Sequence, residues 1–248
     1  MRAVALALLV SLVSAMHAAE RNPAPVASTI LNPDKEGQEL AAKLRAATPA
    51  ESSEFGGVLE ISRQDGKQSW IPINSETAIT ETNWQVIYRS GPTNGAPAET
   101  LVITHTPGQP NRYVLTVGTN IISQLPLTRS FGGSDFWLID LGLEFFHWPQ
   151  QRIVRAEMSR TRPCRVLESV NPNPSPGGYA RVLSWIDNES GGILQAEAYD
   201  STSSNRPVKK FILGPMKKVQ GQYQPREMRM RNIRTGQQTE LKFDLKGE

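Results

Sequence analysis

Along NWQVIYRS, which begins at Asn83, a period of two sets Trp84, Val86 and Tyr88 on one face and Gln85 and Ile87 on the other. In ETLVITHT, from Glu99, Leu101, Ile103 and His105 alternate with Val102 and Thr104 in the same way. Strand-length pieces of this kind recur at GGVLEISR (from Gly56), SWIPI (from Ser69) and NRYVLTVG (from Asn111), with a turn at Asp65 and Gly66. Antiparallel hairpins connect such pieces most economically. A second region opens with QRIVRAEMSRTRPCRVLESVNP, from Gln151, which reads as a hairpin turning near Arg162 and Pro163. From Tyr179 to Leu245 the chain continues as a meander, and the region as a whole predicts five or six further strands. Several strands are apolar on one face and only partly polar on the other, so both faces are expected to be partly covered.

Two stretches break the period of two. Asp34 can cap a helix in which Leu40, Leu44 and the alanines between them form an apolar stripe ending before Pro49. The other is SFGGSDFWLIDLGLEFFHWPQQ, from Ser130 to Gln151, where Phe136, Trp137, Leu138, Ile139, Leu141, Leu143, Phe145, Phe146 and Trp148 leave little polar surface. It predicts a helix capped by Ser134 or Asp135 and stopped by Pro149, with Gly142 as the point of bending or breaking. So apolar a helix cannot lie open in water. It packs on the sheet as core, or it closes a cavity beneath it.

The N-terminus changes the picture of where such a sheet works. Arg2, the apolar run from Ala3 to Val13 and the small residues Ala15, Ala18 and Ala19 read as a secretory signal over residues 1–19, cleaved near Ala18 or Ala19. The run is about half the roughly 20 residues of a spanning helix. Residues 20–33 read as a flexible leader rich in Pro, Ala and Asn, and residues 34–248 as one domain. The only cysteine, Cys164, lies far from the cleavage region, so no residue is placed for a lipoprotein acyl anchor and no intramolecular disulfide can form. The formal charge of +3 falls to +2 when Arg2 leaves with the signal. With the basic residues scattered over alternating strand positions, nucleic acid is excluded as a partner.

The search for catalytic chemistry is negative. No G-x-S-x-G elbow, phosphate loop, zinc-protease motif or paired-cysteine site is present, which argues against an enzyme and against a cofactor or metal. His105 and His147 fall in different predicted elements and lack partners for acid–base work. Cys164 alternates with Val166 and reads as a small buried hydrophobe, and Asn188, Glu189 and Ser190 read as a turn before they read as a glycosylation acceptor. Met228 and Met230 share one strand face, as core filling or as an adaptable apolar surface.

Four pieces in this order, with the leading helix before GGVLEISR, carry a resemblance over most of the chain. They are GSDFWLIDL from Gly133, RPCRVLES from Arg162, RVLSWIDNESGGILQAEAYD from Arg181, and KKVQGQYQPREMRMRNIRTGQQTELKFDL from Lys217. The chain resembles the LolA-like outer-membrane lipoprotein-sorting proteins, in a divergent branch with a long C-terminal meander. The resemblance implies a mainly β fold, a single strongly curved antiparallel sheet forming an unclosed β-barrel with helices over its concave face. It implies a monomeric periplasmic carrier of acyl chains. The partners it implies are lipidated proteins or lipids, with an inner-membrane releasing complex and an outer-membrane acceptor. The alternative on the same fold is an envelope sensory or scaffold module that binds a protein or glycolipid. No residue here aligns with the arginine that latches the lid in such carriers. Taking the more aromatic or methionine-bearing face of each strand as concave, the candidate cavity and lid residues are Trp70, Trp84, Val86, Tyr88, Phe136, Trp137, Leu141, Phe145, Phe146, Trp185, Met228 and Met230.

Overall fold

The computed structural model describes residues 30–92, 96–203, 205–219 and 222–244. The signal and most of the leader expected from the sequence lie outside them.

After helix α1 (Pro33–Ala46), six strands follow in order: β1 (Ser53–Ser62), β2 (Gln68–Ile79), β3 (Trp84–Ser90), β4 (Glu99–His105), β5 (Arg112–Val117) and β6 (Asn120–Ile121). A strap then carries the short helix α2 (Leu138–Leu141) and a 3₁₀ turn (Glu144–His147). Nine strands complete the chain: β7 (Gln150–Ser159), β8 (Arg162–Val170), β9 (Arg181–Asp187), β10 (Ile193–Tyr199), β11 (Lys209–Leu213), β12 (Met216–Val219), β13 (Gln222–Pro225), β14 (Glu227–Asn232) and β15 (Gln238–Phe243).

Thirteen of these form one antiparallel sheet in the order β6-β5-β4-β3-β2-β1-β15-β14-β11-β10-β9-β8-β7. The two sequence regions are thus one sheet, joined where β1 meets β15 in the register Leu59↔Leu241. Strands β12 and β13 lie outside this sheet and pair with each other, Met216 opposite Pro225. The two ends of the sheet, β6 and β7, do not pair with each other, so the barrel stays open. This topology dictates the strap. Chain that leaves the sheet at β6 must re-enter at β7 on the opposite edge, and its shortest path crosses the mouth of the half-barrel.

Helix α1 is capped two residues earlier than the sequence suggests. Asn32, not Asp34, is the N-cap: its Oδ1 accepts the Lys35 N–H at 3.1 Å, and Pro33 supplies the fixed φ of the first turn. The helix lies on β7 so closely that a Cβ at Gly37 would stand 2.5 Å from the Arg152 Cα. Glycine is required there, and α1 thereby covers part of an edge strand that would otherwise be open to pairing.

The β7–β8 hairpin turns at Arg160 and Thr161, not at Arg162 and Pro163. Both residues have positive φ, 50° and 65°, as a two-residue hairpin demands, and Pro163 sits inside β8 opposite Met158. Neither residue is of the Asn or Gly type that usually signals such a turn, which hid it. A β-branched residue is strained at that φ. Thr161→Gly is expected to raise stability by about 1 kcal/mol, read as a higher midpoint in urea unfolding.

Candidate functional site

Period two assigns one face of every strand to the strap. On the concave side stand Leu59 and Ile61 of β1, Ile71 and Ile73 of β2, Trp84, Val86 and Tyr88 of β3, Leu101 and Ile103 of β4, Phe211 and Leu213 of β11, and Met228 and Met230 of β14, all buried. The cross-strand register keeps them in one layer, as in Val86↔Ile103 and Phe211↔Met230. Of the twelve residues taken from the sequence, Trp84, Val86, Tyr88, Met228 and Met230 lie on this floor. Phe136, Leu141, Phe145 and Phe146 are buried in the strap above it, and Trp137 is partly buried there.

Trp70 and Trp185 lie on the other face. Trp70 is 57% exposed on the convex side, where its Nε1 donates to Glu60 Oε1 at 2.8 Å. Trp185 is buried, but on the convex side, opposite its register partner Val166 of β8. The Arg155 guanidinium lies 5.4 Å from its ring centroid and Glu157 accepts its indole N–H. Here the choice of the more aromatic face fails. Both faces of β9 are covered, so size and apolarity no longer identify the inner one.

The strap is not the continuous helix that the sequence suggests. It breaks at Gly142, where a Cβ would stand 2.0 Å from the Tyr113 hydroxyl oxygen, and at Leu143, which has a φ of 49°. The pair ends α2 and redirects the chain into the 3₁₀ turn. Ser134 and Asp135 do not cap it; Trp137 does, with Asp140 Oδ2 accepting the Trp137 N–H at 2.9 Å. Asp135 instead ties the strap to β15, accepting from Thr239 Oγ1 at 2.8 Å while its own N–H donates to the same hydroxyl at 2.9 Å. At the β6 side Glu99 receives Arg129 Nη2 at 2.7 Å and the Gly132 N–H at 2.8 Å. At the β7 side Gln151 Nε2 donates to the carbonyls of Phe145 and Trp148, both at 2.9 Å. The strap is pinned along its length by polar contacts rather than by packing alone.

Sequence reasoning missed the polar cluster at its centre. Lys209 of β11 is 2% exposed and faces inward. Its Nζ donates to the Asp135 carbonyl at 2.5 Å, stands 3.6 Å from Asp140 Oδ2 and lies 3.6 Å from the Trp137 ring centroid. The Tyr179 hydroxyl donates to Asp140 at 3.0 Å, and its ring stacks on Trp137 at 5.0 Å. Burial pulls the Lys209 ammonium down to about 8 and raises the Asp140 carboxyl, each opposed by the attraction of the other. The sequence held a signal for it: in KKFIL the first lysine falls on the inward phase of Phe211 and Leu213.

One void of about 30 Å³ lies between Phe136, Leu143, Phe145, Ala196, Ala198, Phe211 and Met230, and a second of about 20 Å³ lies between Phe136, Leu59, Tyr88, Met228 and Phe243. Each has room for little more than a water molecule. Phe136, Leu143 and Phe145 of the strap form the upper wall of the first space.

At the open end of β3 and β4, His105 stacks on Trp84 with ring centroids 4.0 Å apart, and its Nε2 has no protein partner. Burial first, and the charge of His147 further, pull His105 down to about 4, against an upward pull from Asn111. The unfolded chain therefore takes up a proton near pH 6.5 that the folded chain refuses until about 4. From this residue stability is complete above pH 6.5 and is lost as pH falls, by about 3 kcal/mol at pH 4. His105→Phe, which keeps the stack, is expected to remove that share of the acid sensitivity in urea titrations at pH 7 and pH 4.

Among the described residues no group of three or more His, Cys, Asp or Glu is arranged to hold a metal, and no helix is long and apolar enough to cross a membrane. A search of curated proteins finds no match. Among solved structures, the chain is similar to a putative outer membrane lipoprotein-sorting protein domain from Vibrio parahaemolyticus, with 18% identity, coverage of 85% of this chain and 91% of that one, and a TM-score of 0.69. It is similar to a DUF1329 family protein from Desulfovibrio piger, with 19% identity, coverage of 86% and 92%, and a TM-score of 0.67. A LolA superfamily protein from Nitrosomonas europaea aligns at 17% identity over 86% and 92% of the two chains, with a TM-score of 0.58. At these identities the likeness is one of fold. The sequence itself matches, over residues 83–245, a family model described as uncharacterized-protein-like. That match takes in the strap and the whole C-terminal meander, and the chain belongs to the family that this model describes.

Proposed function

We propose that the protein is an exported periplasmic carrier, not an enzyme, which takes acyl chains of lipoproteins or lipids into the half-barrel for delivery to the outer membrane. The observation that carries this reading is the strap. An apolar concave sheet is covered by a segment with its own apolar side chains, and that segment is held in place by polar contacts at Glu99, Asp135, Asp140 and Gln151. Polar contacts can exchange with water, whereas a fused apolar core cannot open without exposing its side chains to water. Displacing Phe136, Leu143 and Phe145 would leave a trough in which an acyl chain replaces the same apolar contacts. Each methylene taken from water contributes about 0.8 kcal/mol, so a ligand of ordinary acyl length can offset the opening of the strap.

The test is to delipidate the protein and titrate it with a fluorescent fatty-acyl probe and with a diacylated lipopeptide, using native mass spectrometry to count what stays bound. Saturable uptake of one acyl ligand per chain is the expected result. If neither ligand binds and native protein carries no lipid, the carrier reading is wrong.

A further inference from the structure

The larger void is apolar in all but one corner. Among the described residues lining it, Lys209 and Asp140 carry the only charges. Lys209 is held on the concave side by its register partner Ala198, and Ala198 and Ala196 are small enough to leave space beside the ammonium. Burying an ammonium costs several kcal/mol, recovered only when its charge and its donors are well matched. The three N–H groups of Lys209 are unequally used. One donates to the Asp135 carbonyl, and another side of the ammonium faces the Trp137 ring. Asp140 stands 3.6 Å away as the ion-pair partner, its oxygens also accepting from the Trp137 N–H and the Tyr179 hydroxyl. The ammonium of this buried ion pair, with a single acceptor at close hydrogen-bond distance, therefore borders an apolar void.

We propose that Lys209 is the head-group receptor of this cavity and that its ligand is an acyl chain ending in a free carboxylate, a fatty acid. The assignment rests on the acyl-carrier reading and narrows its cargo. The carboxylate pairs with the Lys209 ammonium where it borders the void, and the chain runs along Ile193, Phe211 and Met230 in the place now filled by Leu143 and Phe145. Entry of the carboxylate adds a second negative charge to a corner that already holds Asp140. Asp140 is the group placed to take up the compensating proton, since burial already raises its carboxyl; the titratable groups facing it are Lys209, Asp135 and Tyr179.

The experiment compares dodecanoate with methyl dodecanoate by calorimetric titration of the delipidated protein at pH 7. The acid is expected to bind at least about tenfold more tightly than the ester, the effect of one hydrogen bond to a charged group. In the double variant Lys209→Met with Asp140→Asn, which removes both charges together and leaves no ion buried alone, the acid-to-ester ratio is expected to fall to about one. Circular dichroism establishes that the double variant is folded, and Lys209→Gln, which keeps a donor without charge, gives an intermediate ratio. Equal binding of acid and ester by the wild type, or a tenfold preference that survives the double variant, overturns the role of Lys209 and leaves the carrier reading standing. Binding of neither ligand overturns both.

Discussion

Phe136→Ala is expected to lower folding stability by about 3–5 kcal/mol and, unlike most core truncations, to increase the uptake of acyl ligands. Phe136 is 2% exposed and lines both voids, so its ring is the wall between them. Removing it joins the two spaces under the strap without touching the polar contacts that hold the strap in place. The energetic cost has two parts, the lost transfer energy of the ring and the contacts its neighbours forfeit around the new space. For a chain of this size each kcal/mol corresponds to about 2–4 °C in midpoint, so the loss is large enough to see in any thermal melt. A ligand recovers part of that cost by refilling the space. Uptake of a fluorescent acyl probe is therefore expected to rise as stability falls, and saturating probe is expected to restore more of the melting midpoint in the variant than in the wild type. Loss of stability with unchanged or weaker uptake would make Phe136 ordinary core and would remove these voids from the ligand's path.

How much of this could be read from the sequence depended on whether one face of a strand was left wet. In β3 the buried Trp84, Val86 and Tyr88 alternate with the less buried Gln85 and Ile87 and the exposed Arg89, so the pattern keeps its phase. In β9 every residue after Arg181 is buried, so the pattern loses its phase and Trp185 is assigned to the wrong side. The strap was legible as an oily interruption but not as a strap. Its course follows from which strands end up at the edges, and that is set by the pairing of β1 with β15 across most of the chain. Its break at Gly142 and Leu143 depends on Tyr113, some thirty positions earlier, which no local pattern reveals. Lys209 was hidden for a related reason. A lysine at a strand end is normally solvated, and only the arrival of Asp135, Asp140 and Trp137 from the strap makes an inward ammonium tolerable.

Asp140→Asn is expected to cost about 3 kcal/mol at pH 6, and Lys209→Met less. The asymmetry follows from who else satisfies each partner. Without Lys209, Asp140 still accepts from the Trp137 N–H and the Tyr179 hydroxyl, so its negative charge keeps two donors. Without the Asp140 charge, Lys209 keeps the Asp135 carbonyl and the Trp137 ring but loses the anion that most offsets its burial. Breaking a buried pair from one side costs about 3–5 kcal/mol, and the Asp135 carboxylate, which also attracts Lys209, places this case at the low end. The pH dependence has a definite sign. Burial brings the folded-state Lys209 ammonium down to about 8, below the ordinary lysine value of about 10.4, so the unfolded chain holds more protons above that pH and stability rises through the window. Removing the Asp140 charge lowers the folded-state value further and opens the window earlier. The variant's deficit is therefore expected to shrink between pH 6 and pH 8 and to stay level above, as both proteins then bury a neutral amine. Removing both charges together is expected to recover most of the loss, since an uncharged pair needs no compensation. Urea titrations of the two single variants and the double variant at pH 6 and pH 9 measure all of this. A deficit for Asp140→Asn that does not change with pH would show that the carboxylate holds the strap through its hydrogen bonds alone, and that the charge on Lys209 is balanced elsewhere.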